Sequence, residues 1–126
     1  MRKIEISAGG VTATATLSDN ATTDAIWEAL PITGRANVWG DEIYFEVPVQ
    51  AEQAPDARAD VEVGELGYWP VGSAFCIFFG PTPVSAGKKP RAASPVNVVG
   101  RVVGDATAFR EVNAGTTVTL SKTTPE

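Results

Sequence analysis

Histidine is absent from all 126 residues, and that alone removes most nucleophilic chemistry. Ser–His and Cys–His pairs cannot form within one chain. Zinc sites with imidazole ligands are excluded too, and the single Cys76 cannot supply a thiolate set in their place. Asp41 and Glu42 form the tight acidic pair leading into a strand. Neighbours on an extended chain point to opposite faces, so these two cannot readily share one proton or one metal ion. Glu42 and Glu46 do share a face but stand apart along it, so acid–base work would need a partner from another strand. The pair reads as solvated carboxylates at a strand edge. Cys76 lies inside Ala74-Phe-Cys-Ile-Phe78 with no cation nearby to lower its pKa, and reads as a packed thiol. Arg35 and Arg101 are isolated cations that could orient a ligand carbonyl or carboxylate, or simply sit at the surface.

Two further features invite a chemical reading. The run from Gly80 to Lys89 superficially suggests a phosphate loop. Its glycines are too far apart, Pro81 and Pro83 remove amide donors, and no Ser or Thr follows Lys88 to meet a magnesium ion. An exposed loop fits better. The aromatic set Trp39, Tyr44, Tyr68 and Trp69 falls in or beside turns, and Tyr44 projects away from the apolar row of its strand. Rings placed beside a groove suit recognition of extended peptides or small ligands, while packing into the core is the competing account.

The elements that must position these residues are mostly short strands. Lys3 to Ser7 and the strictly alternating Val11 to Leu17, separated by Gly9 and Gly10, predict an opening hairpin. Asn20 to Leu30 predicts a short helix: Asn20, Thr22 or Thr23 caps it, Ile26, Trp27 and Leu30 share a face, and Pro31 stops it. Asp41 to Val49 predicts a strand whose inward row is Ile43, Phe45, Val47 and Val49, with an edge or bulge at Pro48. A polar loop over 51–60, a short strand at Val61–Val63 and a glycine-punctuated turn over Gly64–Gly72 follow. Ser73 to Phe79 is the most apolar strand. The proline-rich stretch Gly80 to Pro95 predicts an extended loop, Val96 to Val103 a strand, Asp105 to Val112 one or two helical turns, and Thr116 to Ser121 a closing strand. This pattern, with neither repeat nor long linker, predicts a single domain over 1–126. It is mainly β, a small closed antiparallel barrel with one or two short helices.

Composition bounds the partners. A net charge of −5 with scattered basic residues argues against nucleic acid and against an anionic membrane surface. The longest apolar run, Ala74 to Phe79, is too short to span a bilayer. Met1-Arg-Lys3 is followed by alternation rather than the apolar run of a signal peptide, so the expectation is a cytoplasmic protein. No cofactor is expected.

Three segments resemble a cyclophilin-type barrel. Gly64-Glu-Leu-Gly-Tyr-Trp-Pro-Val-Gly-Ser-Ala-Phe-Cys-Ile77 is similar to the cyclophilin Gly-x-Leu strand, turn and Gly-Ser-Gln-Phe-Phe-Ile run. Asn97-Val-Val-Gly-Arg-Val-Val-Gly104 resembles the later Val-Val-Phe-Gly-x-Val stretch, and the early helix falls in the corresponding place. A closer resemblance is to the small prokaryotic cyclophilin-like family, which lacks an established activity. It is carried by Trp39-Gly-Asp-Glu-Ile-Tyr-Phe45, Gly64-Glu-Leu-Gly-Tyr-Trp-Pro70 and Gly72-Ser-Ala-Phe-Cys-Ile-Phe-Phe-Gly-Pro-Thr-Pro83.

The resemblance to true cyclophilins implies a proline pocket, but the residues that would build it are replaced. The substrate-contacting Gln falls on Ala74, the pocket Phe on Cys76 and the pocket His near Val96. The Phe-x-Arg motif that supplies the catalytic arginine has no counterpart in Asn37 to Val47. Strand alternation in the same pattern sends Phe75, Ile77 and Phe79 into the barrel and turns Ala74, Cys76 and Phe78 toward the groove. The groove is then expected to hold Glu42, Tyr44, Trp69, Cys76 and Phe78, with Arg101 as a candidate cation. The expected function is binding of a peptide segment or small molecule without efficient prolyl isomerase activity. Three alternatives stay open: a divergent prolyl isomerase using Arg35 or Arg101, an accessory domain of amide or carboxylate metabolism, and a homo-oligomeric assembly module.

Overall fold

Lys3–Ala8 (β1) and Val11–Leu17 (β2) pair antiparallel with Ile6 opposite Ala13, in the computed structural model that describes residues 2–123. Alternation puts Ile4, Ile6, Ala15 and Leu17 inward, and all four are buried. The helix, α1, runs Ala21–Ala29. The Asn20 side chain accepts the Thr23 amide hydrogen at 2.8 Å, satisfying one of the donors a helix start leaves free. The Thr23 hydroxyl and Asn20 amide then donate to the Val99 and Val98 carbonyls, which fastens the helix to a strand. Ile26 is fully buried, while Trp27 and Leu30 stay half-buried. The Trp27 ring carries the Arg2 guanidinium at 5.6 Å and the Lys122 ammonium at 4.7 Å.

The remaining strands are β3 (Ile32–Arg35), β4 (Asn37–Val38), β5 (Glu42–Glu46), β6 (Arg58–Asp60), β7 (Glu65–Trp69), β8 (Ala74–Phe78), β9 (Arg91–Val103) and β10 (Thr117–Lys122). A 3-10 turn over Ala106–Glu111, capped by Asp105, buries Ala106 and Phe109, and Val112 is buried just after it. All ladders are antiparallel, in the order β3-β10-β1-β2-β9-β7-β8-β5-β4, with β6 attached to β9.

That order corrects the expectation of a closed barrel. No ladder joins β3 to β4 or β5 among the described residues, so the sheet is open at one seam. The chain itself crosses the seam at Ala36, whose amide donates to the Thr116 carbonyl at 2.8 Å before β4 turns to pair with β5. One short segment serves both edges, and too few residues remain to close them with backbone hydrogen bonds. Side chains fill the gap instead: a Cβ on Gly34 would stand 2.7 Å from Phe45 Cδ2, so only glycine lets the two edges approach this closely.

Three segmental expectations also change. The short strand lies at Arg58–Asp60 rather than Val61–Val63. Gly64–Gly72 is not mainly a turn, because Glu65–Trp69 is a strand paired on both sides. Tyr68 is accordingly a core residue, with its hydroxyl donating to the Val49 carbonyl at 2.6 Å and accepting the Ala51 amide at 3.2 Å. The proline-rich loop ends at Pro90, and β9 begins five residues earlier than Val96. Pro95 fits there because this end of β9 is flanked only by the three-residue β6, where the register shifts.

The two faces of β8 serve two clusters. Phe75 and Ile77, with Phe79 beyond the strand, join the main core beside Ile4, Phe45, Leu66 and Tyr68. Burying a side chain the size of Phe75 stabilises the fold by about 2–3 kcal/mol. Cys76 and Phe78 face the other way, into a smaller cluster with Val61, Ala92 and Val96.

Candidate functional site

The smaller cluster is the floor of a cavity. On β5 the outward face carries Glu42 and Tyr44, and the register sets them opposite Phe78 and Cys76 of β8. On β7 the same face carries Gly67 and Trp69, opposite Cys76 and Ala74. Gly67 is needed here because a Cβ would meet Val96 Cγ2 at 2.9 Å, and the missing side chain lets β9 fold across this face. Above the floor lies a cavity of about 260 Å³. Trp39, Glu42, Tyr44 and Trp69 line one side, and Ala92, Ala93 and Val96 of β9 line the other.

Each wall is held. Tyr44 and Trp69 meet edge to face, with ring centroids 6.3 Å apart and planes at 75°. The Trp69 indole N–H donates to Ser94 Oγ at 2.6 Å, fixing the ring against β9. The Trp39 amide donates to the Glu42 carbonyl at 2.9 Å, and the Asn37 side chain donates to the Tyr44 carbonyl at 3.2 Å. The turn between β4 and β5 is pinned from outside by Arg110, which donates to Asp41 Oδ2 at 3.1 and 3.2 Å.

Glu42 is the chemical centre of this arrangement. It is only 5 % exposed, and its Oε1 has no hydrogen-bond partner. Burial penalises the charged form and raises its pKa to about 7, with the neighbouring Cys76 thiol pulling slightly the other way. Cys76 is driven well above the ordinary thiol range, first by burial and then by the adjacent carboxyl, so it stays a neutral thiol. The expectation that Asp41 and Glu42 are both solvated carboxylates therefore fails for Glu42. Alternation assigns this face of β5 to solvent, but the Trp39 turn and the early residues of β9 cover it.

Of the residues picked out from sequence, Glu42, Tyr44 and Trp69 come together in the cavity wall. Cys76 and Phe78 lie beneath, 2 % and 0 % exposed, as a sealed floor rather than a contact surface. Arg101 is elsewhere: it lines a separate depression with Thr16, Leu17 and Glu65, 4.0 Å from the Glu65 carboxylate. Glu65 takes a fork from Arg58 at 2.8 and 2.9 Å and the Glu62 amide hydrogen at 2.8 Å. Arg35 ends β3 in solvent. Sequence reasoning missed the β9 wall, because Ala92, Ala93 and Ser94 look like part of a proline-rich loop; the period-two placement of Ala92, Ser94 and Val96 was the available signal. No group of three side chains suited to hold a metal ion occurs among the described residues. Nor is any described helix long and apolar enough to cross a membrane.

Comparison with known proteins agrees with this architecture. A family model described as Cyclophilin-like matches residues 2–121. Among solved structures, the solution structure of the hypothetical protein AF2241 from Archaeoglobus fulgidus is similar, with a TM-score of 0.82 and 37% identity. The match covers 97% of this chain and 95% of that one. No curated protein matches the chain.

Proposed function

The chain belongs to the Cyclophilin-like family, and from that premise we propose that it is a binding domain that holds a small molecule or peptide segment between Tyr44 and Trp69, without efficient prolyl isomerase activity. The observation that carries this reading is the aromatic cavity floored by a sealed apolar cluster and backed by a buried carboxyl with one oxygen left unpartnered. Concave, mostly apolar sites with a few placed polar groups are the usual form of a ligand pocket.

Prolyl isomerisation needs a twisted amide stabilised by a cation and a shaped proline pocket. The positions that resemble the isomerase pocket hold Ala74, Cys76 and Val96, all buried, and no Arg or Lys lines the cavity. Arg101 is engaged near Glu65 instead.

The test combines two measurements on the purified chain. Thermal shift against a panel of small neutral and cationic fragments and proline-containing peptides is expected to reveal stabilising ligands, with the shift lost in Trp69→Ala and reduced in Tyr44→Ala. A protease-coupled proline-peptide assay is expected to show only the uncatalysed rate. Turnover abolished by Arg35→Ala or Arg101→Ala would overturn the reading in favour of a divergent isomerase.

A further inference from the structure

Resting on the binding reading above, we propose that the cavity takes an organic cation, a methylated ammonium group, seated against Tyr44 and Trp69 with the Glu42 carboxylate as its counter-charge. Three observations converge on this class. Rings standing at 75° form two walls of a corner, and Trp39 adds a third aromatic side chain to the lining. Cations are drawn to aromatic faces, most strongly where water is excluded. Among the described residues the ring that already carries cations is Trp27, which holds Arg2 and Lys122; no such contact occupies Trp39, Tyr44 or Trp69.

Glu42 supplies the second observation. A buried carboxyl oxygen without a partner is costly to leave that way, and Glu42, which carries it, lines a cavity that has no basic side chain. A cation from outside the chain would give it the missing counter-charge. The third observation is the scarcity of acceptors. A primary ammonium is strongly hydrated and brings three donors, whereas the lining side chains offer only the Glu42 carboxyl and the Tyr44 hydroxyl. A methylated ammonium needs few hydrogen bonds and presents carbon to carbon.

Proton linkage follows. Around Glu42 stand Tyr44 on its own strand, Cys76 and Phe78 on β8, Ala92, Ala93 and Val96 on β9, and Trp39 from the turn. Cys76 and Tyr44 are the titratable members, and the Cys76 thiol is neutral. Binding a cation favours the ionised carboxyl, so below the Glu42 pKa of about 7 a proton must leave as the ligand enters.

The head group could come free or as a methylated lysine side chain, and the test separates the sources. Tryptophan fluorescence of the full chain is titrated with choline, with 3,3-dimethylbutan-1-ol (the same shape without charge) and with N-acetyl trimethyl-lysine methylamide. Choline is expected to bind at least about tenfold more tightly than the neutral isostere. Its affinity is expected to rise up to about tenfold from pH 6 to pH 8. Glu42→Gln should erase the pH dependence and reduce the preference for choline to what the rings alone supply; the comparison of isosteres on the unmodified chain needs no variant and stands even if that one misfolds. Tighter binding of the lysine derivative would assign a peptide source, and tighter binding of choline a free one. Equal affinity for choline and its isostere would overturn the cation class while leaving the cavity a binding site. No binding of any of the three, alongside fragment shifts that depend on Trp69, would overturn only this inference; no fragment shift either would overturn both.

Discussion

Glu65 and Glu42 are nearly equally buried, at 6% and 5% exposed, yet the fold treats them in opposite ways. Burial pushes both carboxyls upward. At Glu65 the Arg58 fork and the Glu62 amide outweigh that push and hold the carboxyl below its ordinary range. At Glu42 nothing comparable answers it, and the pKa sits at about 7. Glu65 sits where β6, β7 and β9 converge, and its charge is spent on holding them together. Glu42 borders open space between aromatic walls. A buried carboxyl that is satisfied from within does structural service; one left unsatisfied beside a cavity is available to something that enters it.

The contrast can be broken by pH, by substitution and by loosening one wall. The largest effect is expected from Glu42. Its folded pKa lies above the unfolded value, so the stability it contributes is present in acid and is lost as pH rises from about 4.5 to 7. Denaturant unfolding should show a loss of about 2–3 kcal/mol between pH 5 and pH 8 from this group. Glu42→Gln should flatten that slope and be the more stable protein at pH 8. At Glu65 the sign reverses: its folded pKa is depressed, so its contribution is present at neutral pH and is lost as pH falls through that lowered value.

A somewhat smaller effect is expected from Arg58→Ala, which strips the fork and leaves Glu65 with Arg101 at 4.0 Å. The cost at pH 7 should be about 2 kcal/mol in the same unfolding experiment, below that of a fully buried pair because the Arg58 side chain is 45% exposed and screened. It should shrink in acid, where the carboxyl is neutral. Smallest is Ser94→Ala, which removes the acceptor for the Trp69 indole. About 1 kcal/mol or less is expected in stability, with a clear weakening of any ligand-induced thermal shift because the ring loses its anchor.

Much of this was legible in the chain. Alternation over Val11 to Leu17, the Asn20 cap and the apolar phase of Phe75 and Ile77 gave local elements that packing does not override. The resemblance carried by Trp39–Phe45, Gly64–Pro70 and Gly72–Pro83 placed Tyr44 and Trp69 on one wall. What stayed hidden depends on distant segments. Nothing near Glu42 announces that Ala92 and Val96, some fifty residues on, will cover it. Likewise Arg101 reads as a free cation until Glu65 is seen within 4.0 Å. The open seam is hidden for a related reason, since strand count alone does not say whether Ile32 to Val38 has enough residues to close both edges.

The most direct measurement is a carbon-13 NMR titration of the Glu42 and Glu65 side-chain carboxyls from pH 3 to pH 9, without and with saturating choline. Glu42 is expected to titrate near 7 and Glu65 below the usual carboxylate value, with choline moving Glu42 alone, and downward. A Glu42 that titrates as an ordinary carboxylate and ignores choline would contradict the claim that this cavity is a site built around an unanswered charge.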